Sequence, residues 1–218
     1  MGAYKRHIDA GSISELTISR LSIYLRCVDQ LLEAGLDTVS SQELASRFNL
    51  NSAQIRKDLA YFGEFGVRGV GYNVRELRQY IIEILGLDSE RRLAIVGAGN
   101  LGYALCHYSG FSKGNFLVVA VLDSDPTRIG DATPAGHLVE DAERLAEIVV
   151  QRRVEIGVIT TPAAAAQAVC DQMVQAGLRA ILNFAPTRVM APEHVLAKTV
   201  DLKVHLEELS FFLAHAEN

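Results

Sequence analysis

The sequence is poor in cysteine and has no long uninterrupted apolar segment. Its three cysteines, at positions 27, 106 and 170 of 218, are odd in number and widely spaced. They match neither a disulfide framework nor a metal site, so we expect reduced thiols in a cytoplasmic protein and no bound metal. No run reaches the roughly eighteen apolar residues of a membrane helix. The first residues, with Lys5 and Asp9, lack the apolar core of a secretory signal. We therefore expect no membrane partner.

Charge is unevenly distributed along the chain. The overall net charge of −5 argues against nucleic-acid binding if it is taken as an average. Residues 1–85, however, hold ten basic and ten acidic side chains, and the remainder holds eleven and sixteen. Between Arg47 and Arg78 six basic residues face three acidic ones. Such asymmetry indicates two parts with different tasks.

A strand, a glycine-rich turn and a helix follow one another over residues 92–108, with the helix predicted over 101–108. Gly97, Gly99 and Gly102 fit G-x-G-x-x-G, in which backbone approaches a pyrophosphate at a helix N-terminus. A second apolar run, 116–122, ends in Asp123, where an acid that binds the ribose hydroxyls belongs. This carboxylate favours NAD(H) over NADP(H), because it repels a 2′-phosphate. Arg128 follows five residues later, and a nearby arginine can restore binding of that phosphate, so NADP(H) stays open. The alternative is a plain strand-turn-helix. The predicted cofactor contacts are Gly97, Ala98, Gly99, Asn100, Leu101, Gly102, Asp123, Thr161 and Phe184.

Further strands and helices alternate after this loop. Helices are predicted over 141–150 and 162–176, and strands over 154–160 and 180–184. This alternation is typical of a doubly wound parallel sheet of the Rossmann type, with its ligand at the carboxyl ends of the strands. Thr161 and Phe184 follow two such ends and are candidates for lining the nicotinamide half. Turn chemistry alone explains each nearly as well.

The N-terminal part has the pattern of a helix-turn-helix. Helices are predicted over 14–34, from Ser40 with Glu43 as its capping-box partner, and over 52–62. The third helix buries Ile55 and Leu59 and should enter a major groove. Its other face carries the side chains predicted to contact DNA, which are Ser52, Gln54, Arg56, Lys57 and Tyr61. An ordinary solvated helix face is the alternative.

A glycine-punctuated segment, 65–72, follows the third helix. It predicts a strand-turn-strand wing that carries Arg68 to a minor groove or to phosphates, with a purely structural hairpin as the alternative. A helix over 74–85 and a polar boundary at 86–91 complete this part.

The amphipathic stretch 204–214 comes after the sheet should be complete, so it covers either its own domain or, by exchange, a second subunit. We favour exchange, because helix-turn-helix proteins dimerise to meet two half-sites.

The predicted architecture is therefore α/β, with three parts. A winged helix-turn-helix domain spans 1–86, a Rossmann-type NAD(H)-binding domain spans 91–200, and a swapped dimerisation helix spans 201–218. Six scattered histidines have no partner placed by a motif, so no catalytic residue is assigned and the ligand is expected to be sensed, not turned over. A small NAD-dependent oxidoreductase with an accessory DNA-binding domain is the alternative, and a nucleotide- or CoA-binding module is a second one.

Five segments of the sequence stand out. They are Arg-Lys-Asp-Leu-Ala-Tyr-Phe-Gly (56–63), Gly-Val-Arg-Gly-Val-Gly-Tyr (66–72), Gly-Ala-Gly-Asn-Leu-Gly (97–102), Leu-Asp-Ser-Asp-Pro (122–126) and Ile-Leu-Asn-Phe-Ala-Pro (181–186). Together they resemble the Rex family of redox-sensing transcriptional repressors. The resemblance covers about residues 14–213. The first and last segments are far more specific than the glycine loop.

The resemblance implies a bacterial cytoplasmic homodimer with exchanged terminal helices and one NAD(H) per subunit. It implies release from a palindromic operator when NADH rises relative to NAD⁺. DNA contacts then fall on Arg56, Lys57, Tyr61 and Arg68, and an interdomain switch falls on Arg26, Tyr108 and Asp201. The chain departs from the family at Leu202, where an aromatic residue near the nicotinamide is common.

Overall fold

A computed structural model describes residues 13–67 and 69–216, and it divides the chain into two compact units. The first unit ends at Ser89 and the second begins at Glu90. The second unit includes the terminal helix. A separate dimerisation segment over 201–218 therefore stays a prediction.

Among its described residues, the first unit contains four helices and two short strands. They are α1 (Glu15–Glu33), β1 (Thr38–Val39), α2 (Ser41–Phe48), α3 (Ser52–Ala60), β2 (Tyr72–Asn73) and α4 (Val74–Leu85). Ser14, Ser40, Asn51 and Asn73 cap the helix N-termini with side-chain oxygens. The predicted capping box between Ser40 and Glu43 is present in both directions. Buried side chains from all four helices, among them Leu21, Leu44, Ile55 and Ile81, form the core.

The connection between α2 and α3 is a tight turn over residues 49–51. Asn49, at φ 52°, adopts the left-handed conformation that ends α2, and Asn51 starts α3. The two helices therefore form the predicted helix-turn-helix. At 0% exposure, Ile55 fixes the inner face of α3 against the core.

The wing is less regular than the sequence predicts. Within the described residues of 65–72, pairing is confined to Val67 and Gly71, which exchange two backbone hydrogen bonds of 2.8 and 2.9 Å. Tyr72 pairs with Val39 of β1 instead. Gly66 and Gly71 have positive φ and close backbone contacts, so the chain turns where a regular hairpin would stay extended. Arg68, the predicted DNA contact at its tip, lies outside the described residues.

The second unit is built on a six-stranded sheet in which every neighbouring pair is parallel. In spatial order it contains β5 (Val139–Asp141), β4 (Phe116–Asp123), β3 (Arg91–Val96), β6 (Ile156–Ile159), β7 (Ala180–Asn183) and β8 (Leu196–Thr199). The chain runs outward from β3 to β5 and then returns to the other side of β3. The carboxyl ends of β3 and β6 therefore form the crevice in which doubly wound sheets bind ligands. The predicted parallel sheet is confirmed.

Helices α5 (Asn100–Cys106), α6 (Ser109–Lys113), α7 (Leu145–Gln151) and α8 (Ala163–Gln175) connect the strands. Two helical predictions are wrong in extent. The helix predicted over 101–108 stops at Cys106, and Tyr108 starts the separate α6. The helix predicted from residue 141 begins only at Leu145. Asp141 is instead the last residue of β5, and its side chain caps a 3₁₀ turn over 142–144.

The terminal helix α9 (Leu202–His215) begins at Asp201, whose carboxylate accepts the Lys203 N–H at 2.9 Å. It has no buried residue. Its exposed side chains include Leu206, Leu209, Phe212 and Leu213. Among the residues that the structure describes, no helix is long and apolar enough to cross a membrane.

Candidate dinucleotide site and candidate DNA-binding surface

The glycine loop needs its glycines for different reasons. Gly97 has φ 112°, and a Cβ there would lie 2.8 Å from the Thr160 carbonyl, so β3 can turn only with glycine. A Cβ at Gly102 would collide with the Gly97 carbonyl oxygen, which keeps α5 against the loop. Gly99 is different, because a Cβ there would meet only the Arg128 guanidinium at 3.5 Å. Gly99 is also the N-cap of α5 and has no side chain to cap it, so the first N–H groups of the helix remain for a ligand.

Asp123 ties this loop to the end of β4. Its Oδ2 accepts the Ala98 N–H at 2.7 Å, and its Oδ1 accepts the Asp125 N–H at 2.9 Å. The side chain is 12% exposed and has Arg128 Nη1 at 3.4 Å from Oδ2. The structure therefore brings the predicted ribose acid and the glycine loop together.

Two threonines at the end of β6 complete this crevice. The Thr160 hydroxyl donates to the Gly97 carbonyl at 2.7 Å and holds the first turn of the loop. The neighbouring Thr161 hydroxyl is buried and, among the described residues, has no hydrogen-bond partner. A buried hydroxyl left unpaired costs free energy, which a polar ligand group would recover. This orphan, together with the open backbone at Gly99, fits a dinucleotide.

The turn after β7 is held by side-chain hydrogen bonds to the backbone. Asn183 is fully buried; its amide donates to the Thr187 carbonyl at 2.7 Å and accepts from the Ala185 N–H at 2.9 Å. Phe184 bonds through its backbone to Ile159 and is half-buried against β3 and β6 neighbours. The polar atoms of Asn183 therefore shape the turn that presents Phe184.

Most of the side chains predicted to contact DNA from α3 are exposed, and the contacts themselves stay predictions. Arg56, Lys57 and Tyr61 are exposed, and Ser52 is half-buried at the start of the helix. Arg56 donates to the Ser41 hydroxyl at 2.9 Å and borders a cleft of about 410 Å³ that the glycines of 66–71 also line. Gln54 differs, because its amide turns inward and donates to Asp58 at 2.7 Å. The Gln54 amide is therefore hydrogen-bonded within α3, and its role as a base contact stays a prediction.

Sequence reasoning missed Asp58, which is 1% exposed at the interface of α3 with α1. Arg20 donates two N–H groups to the Asp58 carboxylate, one of them at 2.8 Å. The Tyr24 hydroxyl donates to the same carboxylate at 2.9 Å. Burial alone raises the pKa of Asp58, but these hydrogen bonds outweigh it and hold the pKa below its ordinary value. Helical spacing was the available signal, since residue 58 falls on the same face as Ile55 and Leu59.

Of the three predicted switch residues, one lies in the first unit and two lie in the second. Arg26 is exposed on α1 of the first unit. Tyr108, in the second unit, is 54% exposed and packs edge-on against Phe111. Asp201 caps α9. Their joint role stays a prediction, as does any effect of Leu202, which is 68% exposed.

Comparison with protein families divides the chain in the same way. Residues 12–60 match the model of a putative DNA-binding protein N-terminus, and residues 88–187 match the model of a CoA binding domain. Among solved structures, a protein called RSP in complex with β-NAD⁺ and operator DNA is 36% identical with a TM-score of 0.88, covering 92% of each chain. RSP in complex with β-NADH is 34% identical with a TM-score of 0.83, covering 93% of this chain and 94% of that one.

The curated relatives agree. The redox-sensing transcriptional repressor Rex of Pelotomaculum thermopropionicum is 50% identical, over 94% of this chain and 96% of its own. Its namesake from Carboxydothermus hydrogenoformans is also 50% identical, over 91% and 95%. Both are named as repressors and neither as an enzyme. The chain belongs to the Rex family of redox-sensing transcriptional repressors.

Proposed function

We propose that this chain represses transcription as a cytoplasmic homodimer that binds a palindromic operator and leaves it when NADH binds. The observation that carries the proposal is the coexistence of two surfaces in one chain. One is the exposed Arg56–Lys57–Tyr61 face of a helix-turn-helix, and the other is a glycine loop tied to Asp123. The solved complexes of RSP, with NAD⁺ and operator DNA and with NADH, support this combination.

Asp123, Thr161 and the backbone of residues 97–102 are the residues that we propose hold the dinucleotide. Asp123 Oδ1 accepts one backbone N–H and has a further lone pair for a ribose hydroxyl, whereas Oδ2 accepts the Ala98 N–H and also faces Arg128. Phe184 and Tyr108 are proposed to line the nicotinamide half. When bound, the cofactor supplies a ring that is cationic in NAD⁺ and neutral in NADH.

The difference in charge gives a reason for discrimination. Enclosing a cation in an apolar pocket costs desolvation free energy that a neutral ring does not require. We infer that NADH favours a closed pocket and NAD⁺ a more open one, and that closure moves the two α3 helices out of half-site spacing. A ligand shifts such an equilibrium only by its differential affinity for the two states.

The decisive experiment titrates the operator complex of the full-length protein with each cofactor at constant salt. We expect NADH to weaken operator binding by a factor within about 5–150, the usual range of allosteric coupling, and NAD⁺ to leave it nearly unchanged. Equal effects of the two cofactors contradict redox sensing. Parallel calorimetry with CoA tests the alternative suggested by the CoA binding domain match at residues 88–187. Steady turnover of alcohols or hydroxy acids with NAD⁺ would instead favour an oxidoreductase.

Asp123→Ala is expected to weaken NADH and NAD⁺ alike by about 10- to 100-fold, because it removes charge-assisted acceptors. It also removes the acceptors of the Ala98 and Asp125 N–H groups. Calorimetry measures the loss, with Asp171→Ala, an exposed acid on α8, as the matched control. Unchanged cofactor affinity in Asp123→Ala would remove this residue from the site.

Lys57→Ala is expected to lower the slope of log affinity for DNA against log salt concentration by about one unit, the value for one lost phosphate contact. The measurement is operator binding at several salt concentrations. Arg179→Ala removes one exposed positive charge from the second unit and should leave the slope unaltered. A slope equal to that of the unaltered protein would show that Lys57 contacts no phosphate.

A further inference from the structure

Arg128 occupies the space between the acid and the glycine loop of the proposed dinucleotide site. Its Nη1 lies 3.4 Å from Asp123 Oδ2, and its Nε lies 3.6 Å from Asp125 Oδ2. The same Nη1 is 3.5 Å from the point where a Cβ of Gly99 would stand. One guanidinium therefore faces two carboxylates and also the open backbone of the loop.

The backbone that carries Arg128 is fixed, whereas its side chain is accessible. The Arg128 N–H donates to the Asp125 carbonyl at 3.0 Å, and the Arg128 carbonyl accepts the Asp131 N–H at 3.0 Å. The side chain is 43% exposed, against 12% for Asp123. The guanidinium is thus anchored at its base and can reorient toward a ligand without refolding the turn.

Asp125 holds the other end of this arrangement. Its Oδ1 accepts both the N–H and the hydroxyl of Thr127, at 2.9 and 2.7 Å, and these bonds lower its pKa, with a further contribution from Arg128. The carboxylate is therefore charged at neutral pH. Two acids and one guanidinium leave the adenosine end with one net negative charge, which repels a 2′-phosphate less than the acids alone would.

On the basis of the proposed function, we propose that Arg128 determines how strongly the site discriminates between NAD(H) and NADP(H). Asp123 binds the ribose hydroxyls of NAD(H) and repels a 2′-phosphate. Arg128 offsets that repulsion, because a guanidinium can leave the carboxylates and bind phosphate oxygens with two N–H groups. The site therefore accepts NADP(H) more readily than Asp123 alone would allow, although NAD(H) stays preferred.

The test compares ligands that differ only in the 2′-phosphate. Calorimetry on the full-length protein uses ADP against 2′-phospho-ADP, and NADH against NADPH. Arg128→Gln should weaken each phosphorylated ligand about tenfold more than its partner, the usual effect of one lost charge-assisted hydrogen bond. Arg128→Lys keeps the charge and should recover most of that difference. Arg179→Gln is the control for loss of a remote positive charge, and thermal unfolding confirms that each variant is folded.

Asp125→Asn provides a test in the opposite direction. It retains an oxygen acceptor for Thr127 but removes one carboxylate from Arg128, so binding of the phosphorylated ligands should improve relative to ADP and NADH. An equal loss for both ligands of a pair in Arg128→Gln overturns the proposal, since Arg128 would then contact only groups common to both. If NADH itself fails to bind the unaltered protein, the proposed function fails, and this inference fails with it.

Discussion

Replacing Asp58 with alanine is expected to lower the free energy of unfolding of the first unit by about 3–5 kcal/mol, the cost of removing one partner from a buried ion pair. The carboxylate is almost inaccessible and accepts from Arg20, Tyr24 and Gln54. Without it, the buried Tyr24 hydroxyl and the Arg20 guanidinium lose their acceptor. Because Arg20 is 30% exposed, water replaces part of that bond, so we expect the lower end of the range.

Denaturant unfolding of Asp58→Ala, measured beside Asp58→Asn and Tyr24→Phe, tests this expectation. Tyr24→Phe removes one hydrogen bond and should cost about 1–2 kcal/mol. Asp58→Asn keeps the shape and one acceptor, so it should be less damaging than Asp58→Ala. A loss below that of Tyr24→Phe in the alanine variant would show that the network contributes little.

The same network gives stability an acid dependence of known sign. The pKa of Asp58 is lower in the folded protein than its ordinary value. The contribution of Asp58 to the free energy of unfolding is therefore complete above the ordinary carboxyl pKa of about 4. It is lost as the pH falls through the lower pKa that Asp58 has in the folded protein. The unaltered protein should lose stability over that window, and Asp58→Asn should lose less. Because the network joins α3 to α1, we expect Asp58→Asn also to loosen the packing of α3.

Local sequence patterns predicted the features that depend on neighbouring residues. The capping box at Ser40, the turn before α3 and the glycine loop each follow from residues within a few positions of one another. Asp123 was predicted because it ends the second apolar run at the position of the ribose-binding acid, and in the structure it accepts the Ala98 N–H. These interactions are short in sequence or fixed by the regular geometry of the sheet.

The features that were not predicted depend on contacts between distant segments. Strands β5 and β8 are short and partly exposed, with little apolar pattern of their own, and they form because β4 and β7 offer free edges. Gln54 has a side chain suited to contacting base edges, but its amide donates a hydrogen bond to Asp58 on the same helix. Arg20 and Asp58 are 38 residues apart, and only the packing of α1 on α3 joins them.

The terminal helix is expected to have the largest effect on DNA binding. Within the described residues α9 buries none of its side chains. Four large apolar ones are 60–81% exposed, namely Leu206, Leu209, Phe212 and Leu213. So large an apolar area in water is unfavourable, and a second copy of the chain would cover it. We infer that α9 holds two subunits together and so joins two DNA-reading units.

Leu209→Glu with Phe212→Glu should therefore convert the dimer to a monomer. Operator affinity should fall by about 10²–10⁴, the gain that linking two binding modules provides. Because these side chains are exposed in a single chain, the double variant should still fold, as circular dichroism can verify. Glu208→Gln, on the same helix and 62% exposed, is the matched control and should remain dimeric. Sedimentation and operator titration measure the two effects. A double variant that stays dimeric, or a monomer that binds the whole operator as tightly as the unaltered protein, contradicts the assignment of α9 as the dimerisation helix.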